Sequence, residues 1–262
     1  MDDKFLDQMD QEFTGWSDPA ARLQAALDND ELALYYQPIR ALTGAEGYPL
    51  AEVLVRMGQE EKALLPPGEF LPAFEHYGMM PHLDRWVVRT LARRVKELAS
   101  KIPRFTINVS GQTLEDPDFP DYVAEQTRAT GIAPGAMLFE IDEADLLSSQ
   151  KAAELLGVAL KHIGSGTLID GFGRRAVSFA PLKTMRAEFI KVDGRITRRV
   201  LAGGAAETKM KAVVRVGEAL GMGVIAECVE EQDVLNRLKA LGVGYAQGFG
   251  ISRPQPIEFI AQ

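Results

Sequence analysis

Along the chain, short runs of β-branched, aromatic and aliphatic residues alternate with longer stretches whose apolar positions recur every three or four residues. The short runs are LALYYQPI (32–39), PLAEVLVRM (49–57), RFTINVS (104–110), AMLFEID (136–142), GTLIDGF (166–172), AEFIKVD (187–193), GVIAECV (223–229) and YAQGFGI (245–251). Among the longer stretches, HLDRWVVRTLARRVKELA (82–99) and TKMKAVVRVGEALG (208–221) carry the helical period. Strand followed by helix, repeated, predicts a parallel α/β architecture. Eight such strands in 262 residues suit one TIM-like (β/α)8 barrel rather than two domains. The first two strands break the pattern, because only ALTGAEGY separates them, fewer than the dozen or so residues a parallel crossover needs. An antiparallel hairpin is expected there. Residues 1–18 read as a leader or linker and residues 19–262 as the domain.

Composition narrows the function. With 46% hydrophobic and 25% charged residues, the chain lies in the globular range. No run approaches 18 uninterrupted apolar residues, and the start, MDDKFLDQMD, is acidic where a signal peptide is basic and then apolar. The expectation is a soluble cytoplasmic protein with no membrane segment. The single cysteine, Cys228, excludes an internal disulfide and a cysteine-based zinc site, and three scattered histidines argue against a histidine site. Any metal would therefore sit on oxygen ligands. A formal charge of -8 argues against DNA, which is held by a basic surface, and leaves a small phosphate ligand open.

Polar residues inside the strands carry the functional signal. Glu52, Asn108, Glu140, Asp170, Lys191 with Asp193, Glu227 and Gln247 each lie among apolar neighbours in a predicted strand. Burying a charge without a partner costs several kcal/mol. One such acid reads as a satisfied core pair or a helix cap; the set reads as a site around a shared cation. In a parallel barrel the strand ends converge on one face, and acids with an Asn but no His or Cys suit Mg²⁺, Mn²⁺ or Ca²⁺. Other features take a plainer reading. GGAAETK (203–209) lacks the second glycine before its lysine that a phosphate loop carries, and reads as the loop opening a helix. His76 and His82 read as surface residues, and Cys228 as a small buried thiol.

Nine ordered segments then point to a family. YYQPI, AEVLVRM, LLPPGEFLP, INVSGQ, FEIDEADLL, LIDGFG, FIKVD, VIAECVE and YAQGFGISRP resemble, in order and spacing, the EAL-domain phosphodiesterases of the bacterial second messenger cyclic di-GMP, over residues 20–258. The naming tripeptide reads Glu52-Val53-Leu54 here. The family hydrolyses one phosphodiester of cyclic di-GMP to the linear dinucleotide pGpG, using two divalent ions and a bridging water. By that resemblance Glu52, Asn108, Glu140 and Asp170 would hold a first Mg²⁺ or Mn²⁺. The second ion would lean on Asp170, on the residue after it and on Glu227. Lys191 would position the attacking water, supported by Gln247 and Asp193, so that Lys191, Glu227 and Gln247 form the catalytic set. Gln37, Glu52, Leu54, Arg56 and Glu230 would hold the ligand.

The same resemblance marks a loss. Where the family reads DDFGTGYSS, this chain reads DGFGRRAVS, so Gly171 takes the place of the second acid and Arg174, Arg175, Ala176 and Val177 change the loop. Glu143, which steadies that loop in the family, is retained. Losing even an outer partner of a metal ligand commonly costs about 10–100-fold, and losing a ligand should cost at least as much. The second metal site is therefore expected to be lost. The resemblance implies a cyclic di-GMP receptor with absent or strongly impaired hydrolysis, acting on a signalling protein partner; the alternative is an active phosphodiesterase whose second ion is held by water or another acid. Gly171→Asp is expected to recover some hydrolysis. Arg174 and Arg175 read as a solvated loop or as donors to ligand phosphates. A homodimer through the helices beside this loop is a further implication.

Overall fold

The computed structural model describes residues 19–29, 31–44, 47–58, 64–65, 67–98, 100–174 and 179–261. The expected leader 1–18 and Arg175, Ala176 and Val177 lie outside the described residues. In chain order the elements are α1 (Pro19–Asp28), β1 (Leu32–Ala41), β2 (Leu50–Gly58), β3 (Leu64–Leu65), α2 (Pro67–His76), α3 (Met80–Leu98), β4 (Arg104–Val109), α4 (Gly111–Leu114), α5 (Phe119–Thr130) and β5 (Met137–Asp142). They continue with α6 (Glu143–Ser148), α7 (Gln150–His162), β6 (Gly166–Phe172), α8 (Ala180–Met185), β7 (Phe189–Val192), α9 (Gly194–Thr197), α10 (Gly204–Leu220), β8 (Gly223–Ala226), α11 (Gln232–Ala240), β9 (Tyr245–Ala246) and β10 (Gln255–Pro256).

Eight strands close a barrel in the order β1-β2-β4-β5-β6-β7-β8-β9, with β9 returning to β1. Neighbours from β2 round to β9 run parallel, and β1 is antiparallel to both of its barrel neighbours. The expected hairpin is present, in register from Leu32↔Met57 to Ile39↔Leu50. Pro38 sits within β1 at no cost to the closure. On its far side β1 pairs only at Tyr35 and Tyr36 with β10 and at Arg40 and Ala41 with β9, so the missing N–H of Pro38 falls in the gap.

Two apolar bodies hold the barrel. The larger lies between the outer face of the sheet and the helices, with Phe105, Phe139, Ile169 and Ile190 from strands meeting Leu91, Phe119, Leu160 and Val213 from helices. The smaller fills the barrel itself: Ile39, Leu50, Leu138, Leu168, Phe189 and Ile225, with Tyr245 against them. Because side chains alternate across a strand, the residue two places on from each member of this plug also faces inward, one layer higher. Those residues are Glu52, Glu140, Asp170, Lys191, Glu227 and Gln247, and on the reversed strand β1 the corresponding residue is Gln37. The fold therefore carries one apolar floor with a ring of polar side chains directly above it, at the strand ends where sites of this architecture form.

Candidate active site

Lys191, wholly buried, is the hub of the ring. Its ammonium lies 2.7 Å from Glu52 Oε2, 2.8 Å from Glu140 Oε2 and 3.7 Å from Asp170 Oδ1. Gln247 donates to Glu52 Oε2 at 2.7 Å and to Gln37 Oε1 at 3.1 Å. Gln37 in turn donates to the Ser252 carbonyl at 2.9 Å, and Asn108 donates to Glu52 Oε1 at 3.0 Å. Seven of the expected residues, Gln37, Glu52, Asp170, Lys191, Glu227, Glu230 and Gln247, line one cavity of about 390 Å³.

Crowding acids in a closed barrel raises the cost of their charge. Burial, then the neighbouring Glu52, pushes the Glu140 carboxyl up to about 8 against the pull of Lys191. Burial likewise lifts Glu227 to about 9. Asp170 goes the other way: burial opposes its charge, yet Lys191, a hydrogen bond from Glu227 and the Gly171 N–H hold it below the usual carboxylate range. Burial works against the Lys191 charge too, and Glu140 and Glu52 more than offset it, raising its pKa. Neutral Glu227 thus donates to ionised Asp170, and charged Lys191 bridges Glu52 and Glu140.

The donors fit one hard cation. Glu140 Oε1 and Asp170 Oδ1 are buried with no hydrogen-bond partner among the described residues, and an orphaned buried carboxylate oxygen calls for a partner. Carboxylate oxygens of Glu52, Glu140 and Asp170 with the Asn108 amide are the donor types Mg²⁺ and Mn²⁺ take. The cage is not closed in advance: among the described residues no three acids, histidines or cysteines are already grouped to grip an ion, and the Lys191 ammonium lies among them.

A second cation meets a different neighbourhood. Gly171 contributes no side-chain donor and has φ +63°; a Cβ placed on it would lie 2.5 Å from an Arg174 terminal nitrogen and 2.9 Å from Arg174 Cζ. Arg174 Nε donates to Asp193 Oδ2 at 2.9 Å and its Nη1 to Asp142 Oδ2 at 2.9 Å. This corrects two expectations. Arg174 is an exposed loop residue, as one reading had it, but its guanidinium is paired with Asp142 and Asp193 rather than a free phosphate donor, and Asp193 is engaged by Arg174 and by the Arg195 N–H, at 2.9 Å, rather than supporting Lys191. Glu143 does hold the loop, accepting from the Gly173 N–H at 3.1 Å. Gly171→Asp now faces both a left-handed backbone and an occupied space.

The ligand-holding set divides. Glu230 lines the cavity with Gln37 and Glu52. Leu54 and Arg56 follow Glu52 on the same side of β2, past the last β4 pairing at Val53↔Ile107. Leu54 lines a separate pocket of about 290 Å³ under α2 and α3, and the Arg56 guanidinium lies 5.6 Å from the Tyr35 ring centroid. Of the plainer readings, His76 and His82 are exposed and GGAAETK opens α10. Cys228 is half-buried with φ +55° and lines the cavity, which corrects the expectation of a buried thiol. The sequence reading missed Arg198, Ser252 and Phe249, which reach the site from loops without periodicity; Ser252 acts through its carbonyl, which no side-chain pattern reports. Among the described residues no helix is long and apolar enough to cross a membrane.

Comparison with known proteins agrees with the fold. The profile of the family described as "EAL domain" matches residues 20–254. The chain is 30% identical over 241 residues to the cyclic di-GMP phosphodiesterase PdeB of Shewanella oneidensis, covering 91% of this chain and 28% of that protein. It is 31% identical over 238 residues to the cyclic di-GMP phosphodiesterase PdeF of Escherichia coli, covering 90% of this chain and 32% of that one. The chain thus spans about a third of the length of these relatives. Among solved structures, the FimX EAL domain of Pseudomonas aeruginosa bound to c-di-GMP superposes with a TM-score of 0.85 at 27% identity, covering 93% of this chain and 98% of that one.

Proposed function

Because the chain belongs to the EAL domain family, we propose that it is a cyclic di-GMP receptor domain whose hydrolysis is absent or strongly impaired. One observation carries this reading: buried carboxylate oxygens of Glu140 and Asp170 stand without a hydrogen-bond partner, while the place of the second acid holds Gly171 with Arg174 over it. The similar FimX EAL domain was solved with c-di-GMP bound, which supports the barrel mouth as the nucleotide site. A bound divalent ion would supply phosphate polarisation and a water of lowered pKa, held by Glu52, Asn108, Glu140 and Asp170. The chain's own residues would do the rest. Gln37, Glu52 and Glu230, which line the cavity, would face the nucleotide, with Leu54 and Arg56 along the hairpin, and Lys191 would keep a positive charge below it. A receptor of this kind passes its occupancy to a protein partner.

The second reading is an active phosphodiesterase forming pGpG. It is favoured by Lys191, Glu227 and Gln247 all lying in the cavity with Glu52 and Asp170 of the first set of donors, and by relatives named as phosphodiesterases. Calorimetric titration with cyclic di-GMP, with and without Mg²⁺, followed by chromatography of the nucleotide, separates the two. The expected result is binding without pGpG. Turnover at about 1 s⁻¹ or faster, an ordinary enzymatic rate, overturns the receptor reading. In the same titration Arg56→Ala should weaken binding roughly 10- to 100-fold, the effect of losing a hydrogen bond to a charged group; unchanged affinity removes Arg56 from the site.

A further inference from the structure

The turn that carries Gly171 brings a cation of its own. The Arg174 N–H donates to the Gly171 carbonyl at 3.1 Å, and this tight turn returns the guanidinium over Gly171. Its anchors are fixed. Asp142 and Asp193 are the N-caps of α6 and α9, each using Oδ1 on a backbone N–H, Ala144 at 2.7 Å and Arg195 at 2.9 Å, and Oδ2 on Arg174. A planar fork bound at two points has little freedom to move.

We infer that Arg174 is a positioning residue that stands in for a second divalent cation: its guanidinium fills the space beside Asp170 that Gly171 leaves open, and it restricts the barrel mouth to a single divalent ion. Gly171 and Arg174 then form one coupled device. A carboxylate at position 171 without removal of Arg174 pairs with the guanidinium instead of a metal. Removal of Arg174 without a carboxylate at 171 leaves space and no ligand. Only the two changes together open a second cation site. This rests on the reading of the mouth as a cyclic di-GMP and cation site, yet the inference about Arg174 is counted in metal ions and needs no nucleotide.

The test is Mn²⁺ stoichiometry by equilibrium titration, with electron paramagnetic resonance to detect coupling between two neighbouring ions. Four proteins are compared: the parent, Gly171→Asp, Arg174→Thr and the double variant. The first three should bind one Mn²⁺ with the spectrum of an isolated ion. The double variant should bind two, with an exchange-coupled spectrum and a second site at least tenfold tighter than any second event in the single variants. Two ions on Gly171→Asp alone, or on the parent, overturn the inference, as does a single ion on the double variant. Circular dichroism and thermal unfolding establish that each protein is folded, and Arg174→Ala, with the same expectations, replaces Arg174→Thr should that variant not fold. Failure of the parent to bind cyclic di-GMP while the Mn²⁺ series behaves as expected rejects the nucleotide reading and leaves the Arg174 inference standing.

Discussion

Replacing Lys191 by methionine would leave Glu52, Glu140 and Asp170 facing one another without the ammonium that now lies 2.7 and 2.8 Å from the first two. Removing one partner of a buried ion pair costs about 3–5 kcal/mol; the Glu140 proton, held up to about 8, softens that penalty near neutral pH. The expected outcome is a lower unfolding temperature for Lys191→Met and a larger gain on adding Mg²⁺ than the parent shows, because a divalent ion can take over the lost charge. Equal Mg²⁺ responses in thermal unfolding would show that no ion enters the acid cluster. At this scale the sequence disclosed the acids and Lys191, since a charged residue inside an apolar strand is conspicuous. It did not disclose what Arg174 does. An arginine after a glycine-rich turn looks like any loop residue, and its partners Asp142 and Asp193 are distant in sequence and also serve as helix caps.

Strand elements were legible wherever the apolar plug and the outer core both demanded residues from the same run. LALYYQPI, PLAEVLVRM, RFTINVS, AMLFEID and GTLIDGF all became strands at close to the expected bounds. YAQGFGI did not. Only Tyr245 and Ala246 pair, because the chain after Gln247 folds down onto the loop beyond β8. Val229 N–H donates to the Gln247 carbonyl at 2.9 Å and Gly250 N–H to the Val229 carbonyl at 3.0 Å. A Cβ on Gly248 would strike the Val229 backbone, and one on Gly250 the Glu230 backbone. Contact this close is open only to glycine, and it brings Gln247 to the cavity that Glu227 and Glu230 also line. The two-residue strands β3 and β10 carried no periodic signal at all. Gly248→Ala should therefore force the two loops apart, destabilising the fold by about 1–3 kcal/mol as overpacking does and weakening nucleotide binding through the displaced Gln247. Denaturant unfolding and the cyclic di-GMP titration read both effects; a variant with parental stability would show that the loops are free to separate.

The closed barrel as a whole decides how the site responds to pH. A floor of Leu50, Leu138, Leu168, Phe189 and Ile225 keeps water from the acids below, and the strand wall does so from the sides. Burial is accordingly the first cause of the raised Glu140 and Glu227 carboxyls, at about 8 and about 9 against an ordinary 4.5. In the free protein both carry protons at neutral pH. For an acid whose folded pKa is raised, the stabilising contribution is complete below its unfolded pKa and is lost as pH rises through the folded one. The metal-free protein should therefore lose stability between pH 7 and 9. A divalent ion held by Glu140 needs that carboxylate ionised and displaces its proton, so its affinity should rise across the same window as Glu140, at about 8, gives up its proton, and level off above it. The expected observation is an unfolding temperature that falls from pH 7 to 9 without Mg²⁺, and a Mg²⁺-dependent gain that grows over that range. Comparing the two curves on one protein removes titrations elsewhere in the chain. A gain independent of pH would mean that the ion binds without displacing the Glu140 proton, and that Glu140 is not where it lands.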